Sequence, residues 1–332
     1  MRGSSSVSSR SAERGVAVIM AMLTVALVAA LAAAIVAAYG FAVESVSGRH
    51  DLDQARWLAR GAVDWARNVL AEDKRRTAPV DHFGEAWATK IPPTPVEEGE
   101  VGGEIEDLSG LFNLNLLINA DGTPNDFGSK GFIQLLQILG ETANHAQVLA
   151  ANLTHWIDAS AESADAYSPA VSENGTQPPN APLITVDELL QVPGFSGDLV
   201  ERLRPFVIAV APGSKLNLNT AGAEVIAAEI TAQLQVSGAN ATPVTVDQAR
   251  QLVAQRNIAW FTDPALTDIQ KISAFSQITL DTSRFAVGSQ YFLASGHAKF
   301  GSATTNMQVL LDRGAPDNNS QNWPAIVWQR IL

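Results

Sequence analysis

The chain of 332 residues contains no cysteine, which excludes disulfides, thiolate metal ligands and a cysteine nucleophile. Histidine is sparse as well: His50, His82, His145, His155 and His297 form no His-x-x-x-His pair. The serine most open to a catalytic reading, Ser196 in Gly194-Phe195-Ser196-Gly197, does not sit in a Gly-x-Ser-x-Gly elbow. Positive charge is in deficit, with 22 Lys and Arg against 34 Asp and Glu, a formal net charge of −12. Nucleic-acid binding rests on basic patches, so no nucleic-acid partner is expected. With no activated nucleophile and no metal-spaced pair, the chain is not expected to be an enzyme.

Charge is missing altogether between Arg14 and Glu44. Residues 16–43 are apolar apart from Thr24, Tyr39 and Gly40, and as a helix they reach roughly 40 Å. About 20 apolar residues suffice to cross a bilayer core. A secretory signal core is shorter, about 7–15 residues, so a retained single-pass anchor is expected. Arg2, Arg10 and Arg14 precede the run, which places the N-terminus in the cytoplasm by the positive-inside rule and the remaining chain outside.

Beyond the anchor, Leu52, Ala55, Leu58, Ala62, Trp65 and Val69 recur at steps of three and four, so the helix continues with one apolar stripe. Lys74, Arg75 and Arg76 fall where cations complement its C-terminal dipole. Pro79, Pro92, Pro93 and Pro95 then break the pattern, and extended chain with short strands is expected over 77–108, with 101–108 a candidate strand. Phe112-Asn113-Leu114-Asn115 is echoed by Leu216-Asn217-Leu218-Asn219, and Asn115 and Asn219 are each placed to cap a following helix. Helices are predicted over 131–140, 143–157, 221–235 and 246–256. Residues 186–210 predict two helices joined at Pro193-Gly194-Phe195, a helix-hairpin-helix whose acids, Asp187, Glu188, Asp198 and Glu201, favour packing over phosphate contact. Strands are predicted over 285–297 and 303–313, so the fold class is α+β with a helical insertion.

The junction Ser11-Ala12-Glu13-Arg14-Gly15 followed by Val16-Ala17-Val18-Ile19-Met20 looks like the class III leader of pilins and pseudopilins. That likeness implies cleavage by prepilin peptidase after Gly15, with Val16 becoming the methylated first residue. Most such proteins carry Glu five residues into the mature chain, where Met20 stands. The K-type minor pseudopilin of type II secretion characteristically lacks that carboxylate. Its further motifs are matched in order by Phe112 to Asn115, Trp156 to Ser160, Pro193-Gly194, Leu216 to Ala221, Arg256, Tyr291-Phe292 and Arg313. The chain thus resembles the general secretion pathway protein K family over roughly residues 14–313.

The resemblance implies a leader over 1–15, a transmembrane helix over 16–43, a pseudopilin helix and first strands over 44–110, and C-terminal strands over 281–332. Between them, 111–280 would form the helical insertion, of helix-hairpin-helix or SAM-like type. It implies a non-catalytic subunit that caps the pseudopilus tip and starts its assembly, with I- and J-type minor pseudopilins as partners. The location implied is the inner membrane, with the head in the periplasm. It also implies calcium in the helical domain, for which the loop carrying Asp158, Ser160, Glu162 and Asp165 is the candidate, with Ser160 where the family has Asp. Irregular acidic loops suit this ion. The alternatives are a minor pilin of a type IV pilus and a membrane-anchored helix-hairpin-helix DNA-binding or uptake protein.

Overall fold

The computed structural model describes residues 9–77, 79–159, 178–238, 242–316 and 323–332. Helix α1 (Ser9–Thr77) leads through a short 3-10 turn (Ala86–Ala88) to strands β1 (Ile91–Val96), β2 (Gly99–Asp107) and β3 (Phe112–Asn113). A 3-10 segment (Leu114–Leu117) is followed by α2 (Asp126–Ile138), α3 (Ala143–Ile157), a second 3-10 segment (Val186–Gln191), α4 (Gly197–Leu203), β4 (Val207–Ile208) and β5 (Leu216–Asn217). Then come α5 (Ala223–Val236), α6 (Val246–Ile258), 3-10 turns at Thr267–Lys271 and Ser273–Phe275, β6 (Phe285–Ala286), β7 (Tyr291–Phe300), β8 (Ala303–Pro316) and β9 (Pro324–Ile331). This is the α+β class with a helical insertion between β2 and β7.

The main sheet is antiparallel in the order β1-β2-β7-β8-β9. Proline-rich β1 falls in the stretch where extended chain and short strands are expected, and it lies at the sheet edge, where a missing N–H leaves no ladder partner unpaired. The strand expected over 101–108 is β2. The one expected over 285–297 divides: Phe285–Ala286 pairs with β5 in a separate ladder, and Tyr291–Phe300 enters the main sheet. Strand β9 was not foreseen, because most of its side chains are exposed and it carries no apolar alternation.

The C-terminal half of α1 packs on this sheet. Its buried line is Ala55, Ala59, Val63, Ala66 and Leu70, whereas Trp65, expected on the stripe, is 49% exposed. The cause is close approach: a Cβ on Gly296 of β7 would stand 2.9 Å from the Ala59 carbonyl oxygen and 3.2 Å from Ala62 Cβ. Small residues therefore occupy the contact line and the indoles are turned aside. Ala59, Val63, Ala66 and Leu70 meet Trp87, Phe292, Val309 and Leu311 in one core.

The insertion has its own core, in which Phe112, Phe132, Leu149, Trp156, Leu199, Ile226, Leu252 and Phe285 are all buried. The sequence echo is a structural one. β3 pairs in parallel with β4 (Phe112↔Val207), and β5 pairs in parallel with β6 (Leu216↔Phe285). Asn115 and Asn219 are not helix caps: Asn115 bonds the backbone of Leu183 and Val210, and Asn219 that of Phe261 and Val287. Turn closure falls to the preceding residues, since Asn113 Oδ1 accepts from Asn115 N and Asn217 Oδ1 from Asn219 N. The pair of helices expected over 186–210 is corrected likewise. Val186–Gln191 is 3-10, α4 ends at Leu203, and Val207–Ile208 is drawn off into the ladder with β3.

Candidate functional site

The candidate membrane-spanning element is the first part of α1. From Gly15 onward an 18-residue window reaches a mean hydropathy of 2.7 with none of it buried within the chain. Length and composition suit a bilayer span, and the same helix runs without a break into the head. Gly15 and Val16 lie inside this continuous helix, and Met20 is 61% exposed, as are its apolar neighbours to similar extents.

Where α1 ends, a polar junction ties it to the sheet and to the insertion. Arg313, on β8, is 6% exposed; it pairs with Asp73 of α1 at 2.8 Å and with Asp81, and donates to the Ser289 carbonyl oxygen at 2.8 Å. Its guanidinium lies 4.7 Å over the Phe292 ring. Asn217 Nδ2 donates to the Asp81 carbonyl oxygen and, at 2.7 Å, to Ser289 Oγ, which in turn donates to Asp107 Oδ2 at 2.6 Å. Burial pushes the Asp107 carboxyl up to about 6, against its bonds to hydroxyl groups and to Ser109. Burial also raises Asp73 to about 6; Glu85 adds to the rise and Arg313 opposes it. Sequence reasoning singled out Arg313 and Asn217 and missed Asp73, Asp81 and Glu85, whose proximity depends on the chain turning back after α1.

The hairpin is a packing element. Gly194 has a φ of 91°, which the turn requires and an L side chain rarely adopts, and Leu189, Val192, Leu199, Val200 and Leu203 are buried around it. Both of its arginines are engaged: Arg202 with Glu141, and Arg204 with Asp187 and Glu201. Arg256 is buried and spans the second repeat, donating from Nη1 to the Leu218 and Ala221 carbonyls at 2.7 and 2.6 Å.

Of the expected calcium ligands, Asp158 follows the last turn of α3, its N–H bonded to the Thr154 carbonyl oxygen. Ser160, Glu162 and Asp165 lie outside the described residues. The turn beside it, Asp121 to Asp126, is closed by its own side chains, with Thr123 N and Oγ1 both donating to Asp121 Oδ1. Ala159 N, one residue after Asp158, reaches the Gly122 carbonyl oxygen.

A groove of about 300 Å³ separates α1 from the β1–β2 edge, lined by Trp57, Leu58, Ala62, Trp65, Ile91 and Val101. Trp57 is 67% exposed, so two indoles stand on a helix face left open among the described residues.

Comparison with known proteins places these features. A family model described as type II secretion system (T2SS), protein K, matches residues 110–212, most of the first repeat. The chain is 30% identical over 317 residues to type II secretion system protein K of Pseudomonas aeruginosa, an alignment spanning 92% of this chain and 90% of that one. It is 28% identical over 317 residues to the protein of the same name from Pectobacterium carotovorum, with 91% and 93% covered. In fold it matches a chain in the crystal structure of the GspK-GspI-GspJ complex from enterotoxigenic Escherichia coli, with a TM-score of 0.62 at 21% identity, over 87% of this chain and 99% of that one. A relative this similar over nine-tenths of both sequences decides the assignment: the chain belongs to the type II secretion system protein K family.

Proposed function

We propose that this chain is a non-catalytic minor pseudopilin that caps the tip of the type II secretion pseudopilus and starts its assembly. It is anchored once in the inner membrane with its head in the periplasm, after prepilin peptidase removes the leader at Gly15–Val16. The observation that carries the reading is α1, a single helix that joins a carboxylate-free apolar run to a large head. A carboxylate in hydrocarbon requires a partner; with Met20 in its place, the helix brings no such demand to a subunit above it. The insertion between β2 and β7 adds bulk that opposes further stacking.

I- and J-type minor pseudopilins are the partners this reading requires. The fold relative was crystallised in a GspK-GspI-GspJ complex, which supports that choice. The groove flanked by Trp57 and Trp65 offers the helix of such a partner an apolar seat. The type IV pilus alternative has the family membership against it. The DNA-binding alternative has the paired state of Arg202 and Arg204 against it. Calcium at the loop beginning with Asp158 belongs to the same proposal, because carboxylate, hydroxyl and carbonyl oxygens are the donors that ion takes.

The test is co-expression of the full chain with the I- and J-type pseudopilins of its own system, detergent extraction, and affinity recovery through a tag on this chain. A complex holding both partners, weakened by Trp65→Ala, is expected. Recovery of this chain alone under conditions where the two partners recover each other would overturn the proposal.

A further inference from the structure

Three carboxylates converge where α1 ends. Oxygens of Asp73, Asp81 and Glu85 all lie within 4.8 Å of one another. Asp81 is 2% exposed and the Asp73 side chain 8%. The guanidinium of Arg313 is paired to two of the three, so the group carries a formal charge near −2 within a mostly buried space. Lys74, next along α1, directs its ammonium to the Arg313 carbonyl oxygen instead, at 2.7 Å. The Arg76 guanidinium is held by Glu72.

The donors around the cluster do not satisfy it. Asp81 Oδ2 accepts from Arg313 and from Ser289 N at 2.7 Å, whereas Asp81 Oδ1 is buried and has no hydrogen-bond partner among the described residues. Glu85 Oε2 accepts from His82 N at 3.0 Å and Trp87 Nε1 at 2.8 Å. A buried carboxylate oxygen without a donor is costly, and placing it beside two further carboxylates adds repulsion. A cleft of about 370 Å³ lined by Asp73, Glu85 and Glu72 opens beside the cluster and has room for an ion with its remaining waters.

We propose that Asp73, Asp81 and Glu85 form a binding site for a hard divalent cation of the calcium class, separate from the loop at Asp158. The donors are all oxygen, and calcium–oxygen bonds of about 2.3–2.6 Å allow ligand oxygens on one ion to lie up to about 4.6–5.2 Å apart, a limit within which these three carboxylates fall. Bound there, the ion neutralises the excess charge, satisfies Asp81 Oδ1 and clamps the end of α1 to the segment carrying Glu85 and, through Arg313, to β8.

Trp87 provides the readout, since its indole bonds directly to Glu85. Full-length chain in detergent micelles, stripped with a chelator, is titrated with terbium while tryptophan is excited, then back-titrated with calcium. Sensitised emission that calcium displaces is expected, with Trp87→Phe removing most of the component that survives Asp158→Asn. Glu85→Gln, at a half-buried position, is expected to weaken that component about tenfold or more through loss of one charged ligand. Asp81→Asn should do the same, and circular dichroism checks that each variant is folded. Absence of sensitised emission, or emission unchanged by both Glu85→Gln and Trp87→Phe, overturns the site.

Discussion

Asn115 and Leu183, 68 residues apart, exchange two hydrogen bonds: Asn115 Nδ2 donates to the Leu183 carbonyl oxygen at 2.9 Å, and Leu183 N donates to Asn115 Oδ1 at 2.8 Å. Asn219 and Phe261 repeat the exchange at 2.9 Å in both directions. One amide side chain thus substitutes for a strand pairing in each half of the insertion. Its third bond, to Val210 in one copy and Val287 in the other, closes each half just beyond the strand that returns to the repeat.

Truncating either asparagine strands buried backbone groups on two separate segments. Asn115→Ala and Asn219→Ala are each expected to destabilise the head by roughly 2–4 kcal/mol, on the basis of about 1–3 kcal/mol per buried group left unsatisfied. Urea unfolding of the full chain in micelles measures it. A loss confined to a few tenths of a kcal/mol, as for an exposed cap, would contradict the tertiary role.

Arg313 is the cation that Asp73 and Asp81 share. Arg313→Ala is expected to cost about 3–5 kcal/mol, because it leaves buried carboxylates without a counter-charge. Asp73, raised to about 6, already binds its proton more tightly in the folded chain than its ordinary value of 3.8. Protonation relieves the unpaired charge, so the deficit of the variant should shrink as pH falls from neutrality through 6 toward 4. A deficit independent of pH would mean that the loss is of packing on Phe292 alone.

Glu229 is 1% exposed on α5, and burial pushes its carboxyl up to about 8 against a smaller opposing pull from Arg284. The native state therefore holds a proton that the unfolded chain releases above its ordinary 4.5. Stability from this group is full below 4.5 and declines as pH rises to about 8. Glu229→Gln should remove that decline, raising stability near pH 8 by on the order of 1–3 kcal/mol with little change near pH 4. Equal effects at both pH values would rule out titration as the cause.

Processing is tested by intact mass. Chain recovered from membranes that contain prepilin peptidase should begin at methylated Val16, and chain from membranes without it should keep its leader. A Gly15→Val variant should remain uncut in both. Cleavage beyond residue 43 in either case would mean that the apolar run is a removed signal.

How much was legible depended on whether the determinant was local. The charge-free run announced a long apolar helix, and helix α3 was read at 143–157, where the structure has it, because its apolar spacing is encoded within a few residues. Asn115 and Asn219 were misassigned because an asparagine before a helix looks the same whether it caps that helix or bonds a chain 42 or 68 residues away. Trp65 was placed on the wrong side of α1 because periodicity fixes the phase of a stripe only coarsely, and the glycine that settles it, Gly296, lies on a distant strand. The prolines of β1 marked extended chain without fixing where the edge strand begins and ends, and exposed β9 carried no pattern to read. Asp73, Asp81 and Glu85 look like ordinary surface acids until the turn after α1 brings them together.

The central claim, that this subunit caps the pseudopilus, is tested most directly by locating it. Pseudopili assembled with a gold-labelled, tagged copy of this chain and viewed by electron microscopy should carry label at one end only. Label distributed along the filament would contradict the account, since a subunit with a blocking head has no place within the stack.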